Sequence, residues 1–232
     1  MDNQTDVLGI AYKDYLEKGK NAQIIVQCSM AEDEKLPVSY FFRDITKMPE
    51  QEILALELCK GKVLDVGAGA GCHSLELQKK GFEVMAIDIS ELGIEVMKKR
   101  GVKDCYCKDI YSLTKVSFDT ILFLMNGIGM AKTISGLKDL FMHVKSIMNK
   151  DAQVFIESSD ISYLLPETGI DLNAEYFGEI EYTLKYKGIS GTPFQWLYID
   201  YSVLSMYAEE CGFKCELLYA SEEGNYLCRL VL

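Results

Sequence analysis

The chain has 232 residues, of which 49% are hydrophobic and 25% charged, as in folded globular proteins and unlike disordered chains. Its formal net charge of −11 argues against a nucleic-acid partner, because Lys and Arg side chains supply most of that binding by neutralising phosphates. Residues 1–6 do not resemble a signal peptide, and no apolar run approaches the roughly 20 residues of a membrane span, so the sequence predicts a cytoplasmic protein without membrane contact.

The first 60 residues are predicted to form an N-terminal helical cap. Apolar residues recur at helical spacing over positions 7–16 and stop at Gly19, which predicts an amphipathic helix. A second helix is predicted over residues 46–59, ending at a Lys-Gly pair.

From residue 62 the pattern changes to short apolar runs that alternate with helical segments. This alternation predicts repeated βαβ units and a parallel sheet. The runs are rich in Val, Ile and Leu, as in strands buried on both faces. The predicted strands cover residues 62–66, 83–87, 104–107, 120–125 and 153–157, and the predicted helices cover residues 73–79, 93–99 and 134–149.

Beyond Asp160 the alternation stops. Large apolar residues recur at period two over positions 180–186, which predicts a half-buried antiparallel strand. Residues 194–199 are predicted to pair with it across a glycine-containing turn. This inserted β-hairpin forms either a wall over a site or an edge extension of the main sheet, and the sequence leaves both open.

A single domain is predicted over residues 1–232, because no repeat, low-complexity segment or linker is evident. A helix over residues 201–211 and strands over 213–219 and 226–231 complete the chain, and the short turn through Gly224 makes the last two strands antiparallel. The predicted parts are the cap (1–60), a cofactor-binding core (61–160), a substrate-side hairpin (161–200) and a C-terminal helix with its strand pair (201–232).

Eight cysteines are spread through the predicted elements, unlike the disulfide framework of a small secreted domain. We therefore expect reduced thiols. A zinc site is the alternative, but only the pairs Cys105/Cys107 and Cys211/Cys215 come near ligand spacing. The sequence predicts no metal.

Three glycines, Gly67, Gly69 and Gly71, directly follow a predicted strand and precede a predicted helix. Glycine lets the backbone turn tightly and approach a ligand, and the following helix offers free N–H groups. The pattern predicts a ligand-binding loop, with a purely structural turn as the alternative.

Two carboxylates narrow the choice of ligand. Asp88 ends the next strand, at the offset of about 20 residues where an acid binds ribose hydroxyls, a geometry shared by nicotinamide dinucleotides and S-adenosylmethionine. Asp65 lies within the strand, where a dinucleotide-binding strand stays apolar, and a buried carboxylate needs a partner such as an amino group. Cys72 replaces the last glycine of G-x-G-x-x-G. These features favour S-adenosylmethionine.

In combination, residues 63–71, 84–90, 108–110 and 118–122 resemble the ordered motifs of class I S-adenosylmethionine-dependent methyltransferases, and this resemblance covers about residues 60–160. Residues 58–61, 71–74 and 124–129 resemble segments of a bacterial small-molecule methyltransferase-like group. The resemblance implies an α/β fold with a Rossmann-like, doubly wound, mostly parallel seven-stranded sheet and an antiparallel last strand. It also implies S-adenosylmethionine as cofactor and methyl transfer to a small molecule by in-line displacement.

The resemblance also assigns cofactor-binding residues. The methionine part would lie against Asp65 and the glycine loop, the ribose on Asp88, and the adenine between Ile89 and Asp109. A guanidinium suits the cofactor carboxylate, although a surface arginine beside packed aromatic rings is the alternative for Arg43. The predicted cofactor-binding residues are Arg43, Asp65, Gly67, Ala68, Gly69, Gly71, His73, Asp88, Ile89, Asp109, Ile110, Met125 and Asn126.

The substrate side is less specific. Aromatic rings there either clamp a planar substrate, face an amine cation or belong to the core. No catalytic residue is assigned, because displacement at a sulfonium requires mainly positioning and desolvation. The alternatives are a non-catalytic adenosylmethionine-binding module and an NAD-linked oxidoreductase, and no oligomeric state is indicated. The predicted substrate residues are Tyr40, Gly127, Ile128, Asp160 and Trp196, with Tyr182, Gln195 and Tyr198 as further candidates.

Overall fold

Two β-sheets organise the chain in a computed structural model that describes residues 5–19, 22–28, 30, 32–164 and 176–232. The helices are α1 (Val7–Lys18), α2 (Glu50–Glu57), α3 (Cys72–Lys79), α4 (Glu91–Arg100), α5 (Ile134–Ser146) and α6 (Tyr201–Glu210). The strands are β1 (Gln23–Cys28), β2 (Glu34–Pro37), β3 (Lys62–Val66), β4 (Glu83–Asp88), β5 (Asp104–Cys107), β6 (Phe118–Phe123), β7 (Met148–Ser159), β8 (Glu179–Tyr186), β9 (Ile189–Ser190), β10 (Phe194–Leu197), β11 (Lys214–Ala220) and β12 (Asn225–Val231).

The main sheet has seven strands in the order β11-β12-β7-β6-β3-β4-β5. Strands β3 to β7 pair in parallel, whereas β12 is antiparallel to both β7 and β11. The predicted fold class, with its antiparallel last strand, is confirmed. The strand order reverses at β3, between β4 and β6, which is where ligands bind in doubly wound sheets.

Helices cover both faces of this sheet because its central strands are apolar on both sides. Leu64 and Ile121 belong to the core cluster that contains α5 residues such as Phe141. Their chain neighbours Val63 and Leu122 belong to the cluster that contains α2 and α3 residues. Side chains on a strand alternate between faces, so one run of residues supplies both cores. In the described ranges, no helix is long and apolar enough to cross a membrane.

The second sheet has the order β10-β8-β1-β2, with β9 paired to β8. The predicted hairpin is present, since β8 and β10 pair antiparallel. The other neighbour of β8 is β1, which together with β2 belongs to the segment predicted as a helical cap. The prediction of a purely helical cap is therefore wrong, and so is the alternative that the hairpin extends the main sheet.

The boundaries of three elements differ from the predicted ones. Helix α2 starts at Glu50 and not near residue 46, because Pro49 is its N-cap and residues Ile45–Lys47 form a separate 3₁₀ turn. Strand β6 ends at Phe123, because Met125 adopts φ 55° and leaves the sheet. Helix α5 ends at Ser146, and β7 begins two residues later.

Candidate functional site

The glycine loop follows β3 at the carboxyl edge of the main sheet. Gly67, Gly69 and Gly71 have φ values of 68°, 57° and 83°, in the region that favours glycine. A Cβ at Gly71 would lie 2.8 Å from Val102 Cγ2 and 2.9 Å from Met97 Cγ. Gly71 therefore permits close packing between the loop and α4. For this glycine, the alternative of a purely structural role in the turn applies.

The middle of the loop is covered by α1. A Cβ at Gly69 would meet the hydroxyl of Tyr12 at 3.3 Å, and the Tyr12 ring packs 5.0 Å from that of Phe41. Burial, followed by the nearby Asp88 carboxylate, raises the pKa of Tyr12 well above its usual value. Tyr12 thus presents a neutral hydroxyl to the glycine loop, a placement that the sequence analysis did not identify.

Asp88 holds the loop from the end of β4. Its Oδ2 accepts from the Gly69 N–H at 2.8 Å, and its Oδ1 accepts from the Ser90 N–H at 2.9 Å. The Ser90 hydroxyl donates to Asp6 Oδ2 at 2.7 Å, and Asp6 caps α1 through Gly9. Hydrogen bonds therefore connect the start of α1 with the carboxylate that shapes the loop. Burial raises the pKa of Asp88 above its ordinary value.

The region predicted for adenine lies between the ends of β4 and β5. Ile89 is 74% exposed, an unusual state for isoleucine. Asp109 is exposed and its Oδ1 accepts from the Tyr111 N–H at 2.9 Å. Ile110 is buried in the main core. Only Ile89 and Asp109 of these predicted residues are open to a ligand.

Asp65 is buried within β3 and already has a protein partner. The hydroxyl of Ser74 on α3 donates to Asp65 Oδ2 at 2.5 Å. Asp65 thus links the glycine loop to the helix that follows it. Neighbouring Ala68 is buried against α4 in a small apolar cluster.

A buried ion cluster lies beside the loop. The carboxylate of Glu52 on α2 accepts from the Arg43 guanidinium and lies 2.5 Å from His73 Nε2 on α3. These three side chains are at most 5% exposed, so Arg43 is not a surface residue. In the described part of the chain, Arg43 Nε has no hydrogen-bond partner.

The ion cluster joins two basic side chains to one carboxylate. Burial disfavours a charged His73, but the neighbouring Cys72 and Glu52 outweigh it and raise the pKa of His73 well above its usual value. Burial likewise opposes ionisation of Glu52, yet His73 and then Arg43 hold its pKa below the ordinary value. Arg43 and His73 therefore share one carboxylate, and the Arg43 Nε that has no partner among the described residues suits an anionic ligand group.

The turn after β6 is strained and fixed by β7. Met125 and Asn126 have φ values of 55° and 54°, which is uncommon for residues other than glycine. The Met125 N–H donates to Glu157 Oε2 at 2.7 Å, and the Ser158 hydroxyl donates to Asn126 Oδ1 at 2.8 Å. Burial and the nearby Glu52 raise the pKa of Glu157.

The second sheet docks on this same turn through Trp196. The indole N–H donates to the Asn126 carbonyl at 3.2 Å, and Asn126 Nδ2 donates to the Leu197 carbonyl at 3.4 Å. A Cβ at Gly129 would lie 2.0 Å from Trp196 Nε1. Ile128 is completely buried in the main core, so it supports the turn by packing. Gly127 is also buried.

Gly129→Ala should therefore force the indole of Trp196 away from the turn. Overpacking of this kind costs about 1–3 kcal/mol, and we expect a lower free energy of unfolding and a shifted tryptophan emission. Adding Trp196→Leu removes the clash. The double variant should therefore lose less stability than the sum of the losses in Gly129→Ala and Trp196→Leu. Urea unfolding followed by circular dichroism measures this. Additive losses with unchanged emission would contradict the docking geometry.

The other predicted substrate residues are further apart. Tyr40 is 39% exposed, and its ring lies 3.9 Å from the Arg43 guanidinium carbon. Asp160 follows β7, accepts from the Ser162 N–H at 2.8 Å and borders a surface depression with Tyr163 and Gly224. Within the described ranges, Asp160 makes no hydrogen bond or ring contact with Trp196 or Tyr40.

Sequence reasoning missed several polar residues around the loop and turn. Only their tertiary positions reveal them, since Glu52 and Glu157 occur in unremarkable apolar contexts. Ser74 had a usable signal, because it lies three residues after Gly71, on the first turn of α3, within reach of a buried carboxylate. The missed residues are Tyr12, Glu52, Ser74, Glu157 and Ser158.

Comparison with known proteins gives a consistent result. A methyltransferase domain family matches residues 63–150. A SAM-dependent methyltransferase from Bacteroides fragilis, solved in complex with S-adenosyl-L-homocysteine, is 39% identical, with 100% of this chain and 99% of that chain covered and a TM-score of 0.90. None of the curated proteins matches the chain significantly.

Two more distant structures share the fold. The CcbJ methyltransferase from Streptomyces caelestis is 13% identical, with 79% of this chain and 89% of that chain covered and a TM-score of 0.61. CalS10 from Micromonospora echinaspora, a SAM-bound amino pentose methyltransferase, is 14% identical, with 78% of this chain and 89% of that chain covered and a TM-score of 0.57.

Proposed function

The chain belongs to the S-adenosylmethionine-dependent methyltransferases, and from this premise we propose that it methylates a small molecule held between the glycine-loop edge and the second sheet. The observation that carries the proposal is the docking of Trp196 on the strained turn at Asn126. This contact puts the inserted strands beside the carboxyl end of β6, where doubly wound sheets bind their ligands. CalS10, with a related fold, acts on an amino pentose, which is also a small acceptor.

The residues around the glycine loop fit the cofactor. A side chain at Gly69 would crowd the Tyr12 hydroxyl over the loop, and among the described residues the buried Arg43 Nε has no partner, which a carboxylate would provide. The exposed Ile89 offers an apolar surface for adenine beside the ribose-binding carboxylate of Asp88. We propose as further cofactor residues Asp65, Gly67, Ala68, His73, Asp109, Met125 and Asn126, with Tyr40, Gly127, Asp160 and Trp196 on the substrate side. Gly71, Ile110 and Ile128 would support these positions by packing.

The bound cofactor supplies an electrophilic methyl group on a sulfonium. The residues of the chain then position the reacting groups and exclude water. Glu157 and Ser158 hold the Met125–Asn126 turn in place, and Tyr12 closes the glycine loop against water. Such positioning supplies much of the barrier reduction in a displacement that needs no dedicated base.

Isothermal titration calorimetry with S-adenosylmethionine, S-adenosylhomocysteine and NAD tests the cofactor assignment. We expect micromolar binding of the first two and none of NAD. Binding of NAD alone would contradict the assignment. Mass spectrometry of a mixture of small metabolites and macromolecules incubated with the enzyme and S-adenosylmethionine then tests the acceptor class, and a methylated macromolecule with no methylated metabolite would refute it.

Asp88→Ala should weaken S-adenosylhomocysteine binding roughly tenfold to hundredfold, because hydrogen bonds to a charged group are worth about 1.5–3 kcal/mol. The raised pKa of Asp88 means that its carboxylate takes up a proton at a higher pH than an ordinary aspartate. Wild-type affinity should therefore fall on acidification through that pKa, and the variant should lack this dependence. Calorimetry across acidic pH measures both effects, with the exposed Asp104→Ala as control. Unchanged affinity in Asp88→Ala would remove the ribose assignment.

A further inference from the structure

Aromatic rings share one face of the second sheet. Directly paired residues on antiparallel strands lie on the same face, and Cys28, Tyr182 and Phe194 form such a row across β1, β8 and β10. Trp196 is two residues beyond Phe194 and therefore also on this face. Its ring is 6.1 Å from that of Phe194, and the Tyr198 ring is 6.2 Å from that of Tyr182.

This face is turned toward the body of the protein. At one end, Ile24 and Tyr186 on the same face pack against α1. At the other end, Trp196 lies on Gly129 and the Asn126 carbonyl. The aromatic face, defined by Tyr182, Phe194, Trp196 and Tyr198, therefore lies between the helix over the glycine loop and the turn after β6.

The aromatic face is not a filled core. All four of its residues keep intermediate exposure although they face inward, as expected for the wall of a concave site. The Tyr182 and Tyr198 rings pack at an interplanar angle of 50°, so each limits the movement of the other. Rigid rings bind a ligand at a low cost in conformational entropy.

Cations of the described residues do not lie over the rings of this face. Burial raises the pKa of both Tyr182 and Tyr198, so both phenols are neutral. The cation–ring contacts among the described residues use other rings, such as Tyr40 and Phe42, and none uses the aromatic face. The negative faces of these rings are therefore not occupied by a lysine or arginine of the described chain.

We propose that the methyl acceptor is an amine whose nitrogen lies against the aromatic face, an inference that rests on the function proposed above. A neutral amine nitrogen forms the new N–C bond with its lone pair while the C–S bond breaks and leaves its electrons on sulfur. Positive charge moves from sulfur to nitrogen, and a proton of the resulting ammonium passes to water. Ring faces attract this charge, whereas they would disfavour an anionic oxygen acceptor.

A pair of matched probes tests the proposal without turnover. Trp196 is the only tryptophan in the chain, so its fluorescence reports ligands at this face. With S-adenosylhomocysteine present, choline should bind roughly fivefold to thirtyfold more tightly than its uncharged analogue, in which tert-butyl replaces trimethylammonium. Equal affinities, or no response to either probe, would overturn the amine assignment.

Variants separate this inference from the proposed function. Phe194→Leu and Tyr182→Leu should reduce the choline preference to near unity while S-adenosylhomocysteine binding measured by calorimetry persists. Thr183→Ala, on the opposite face of β8, serves as the matched control and should keep the preference. Failure of the wild type to bind S-adenosylhomocysteine would instead contradict the proposed function.

A screen of small amines against their hydroxyl counterparts completes the test. Incubation with S-adenosylmethionine followed by mass spectrometry should detect methylated amines. Methylation confined to the hydroxyl compounds would overturn the amine proposal and leave the methyltransferase assignment intact.

Discussion

Gly69→Val should weaken cofactor binding roughly hundredfold or more in an otherwise folded protein. The residue has φ 57°, and its Cβ would lie 3.3 Å from the Tyr12 hydroxyl. The left-handed conformation costs a residue with a side chain about 1–2 kcal/mol, and the two further methyl groups of valine would crowd Tyr12 and Phe41, which cover the loop assigned to the cofactor. A variant loop that relaxes in the free protein must return to the strained geometry on binding. We therefore expect the affinity for S-adenosylhomocysteine to fall roughly hundredfold or more below that of the wild type.

Calorimetry measures the affinity, and circular dichroism with urea unfolding shows that the fold persists. Gly81→Val is the matched control, because Gly81 also has a positive φ of 90° but nothing lies within 4 Å of its Cβ position. Gly81→Val should lose stability and keep its affinity. Normal binding by Gly69→Val would refute the placement of the cofactor in this loop.

Most of the main sheet could be predicted from the sequence because its signals are local. Continuous Val, Ile and Leu runs mark strands such as β3 and β4, which are buried on both faces. The glycine loop and Asp88 follow these strands at characteristic spacings, so their proximity at the sheet edge follows from parallel topology. The hydrogen bond between the Gly69 N–H and Asp88 agrees with that expectation.

The second sheet could be predicted only in part, because half of it pairs across a long stretch of chain. The period-two pattern around Tyr182 indicates a strand, but nothing in it identifies β1 as the neighbour. β1 itself contains Ile24, Ile25 and Val26 in sequence, a short run that is also compatible with a helical cap. Its pairing with β8 depends on the tertiary fold and not on local propensity.

The polar residues under the site could not be predicted for a similar reason. Glu157 reads as the end of an apolar strand, yet it holds the N–H of Met125 on the neighbouring loop. The sequence predicts Asn126 as a cofactor-binding residue but does not predict that its side chain is bonded to Ser158 and Leu197. These roles come from strand order and strained φ angles, which no residue spacing encodes.

Glu52→Ala should destabilise the protein by about 3–5 kcal/mol, because removal of one partner from a buried ion cluster leaves uncompensated charge. The variant would leave the cations of Arg43 and His73 without their shared carboxylate. We expect a fall in Tm on the order of 10 °C. Glu57→Ala, an exposed position on the same helix, should change stability by less than about 0.5 kcal/mol.

The pH dependence of this loss distinguishes an ion cluster from simple packing. The pKa of Glu52 is lowered in the folded state, so its contribution is present above its unfolded pKa of about 4.3 and is lost as pH falls through the folded value. The pKa of His73 is raised, so its contribution is complete below an unfolded pKa of about 6.5 and is lost as pH rises through the folded value. The stability difference between wild type and Glu52→Ala should therefore be greatest in mildly acidic buffer and shrink toward alkaline pH.

Urea unfolding of both proteins across this range measures the difference. Replacing all three charged residues with apolar ones, as in Arg43→Met, Glu52→Leu and His73→Leu together, should recover part of the stability lost in Glu52→Ala, because no unpaired charge remains buried. The triple variant should nevertheless bind S-adenosylhomocysteine weakly, since it lacks the cations assigned to the cofactor carboxylate. A stable triple variant with wild-type affinity would show that the cluster serves folding alone and that the cofactor carboxylate binds elsewhere.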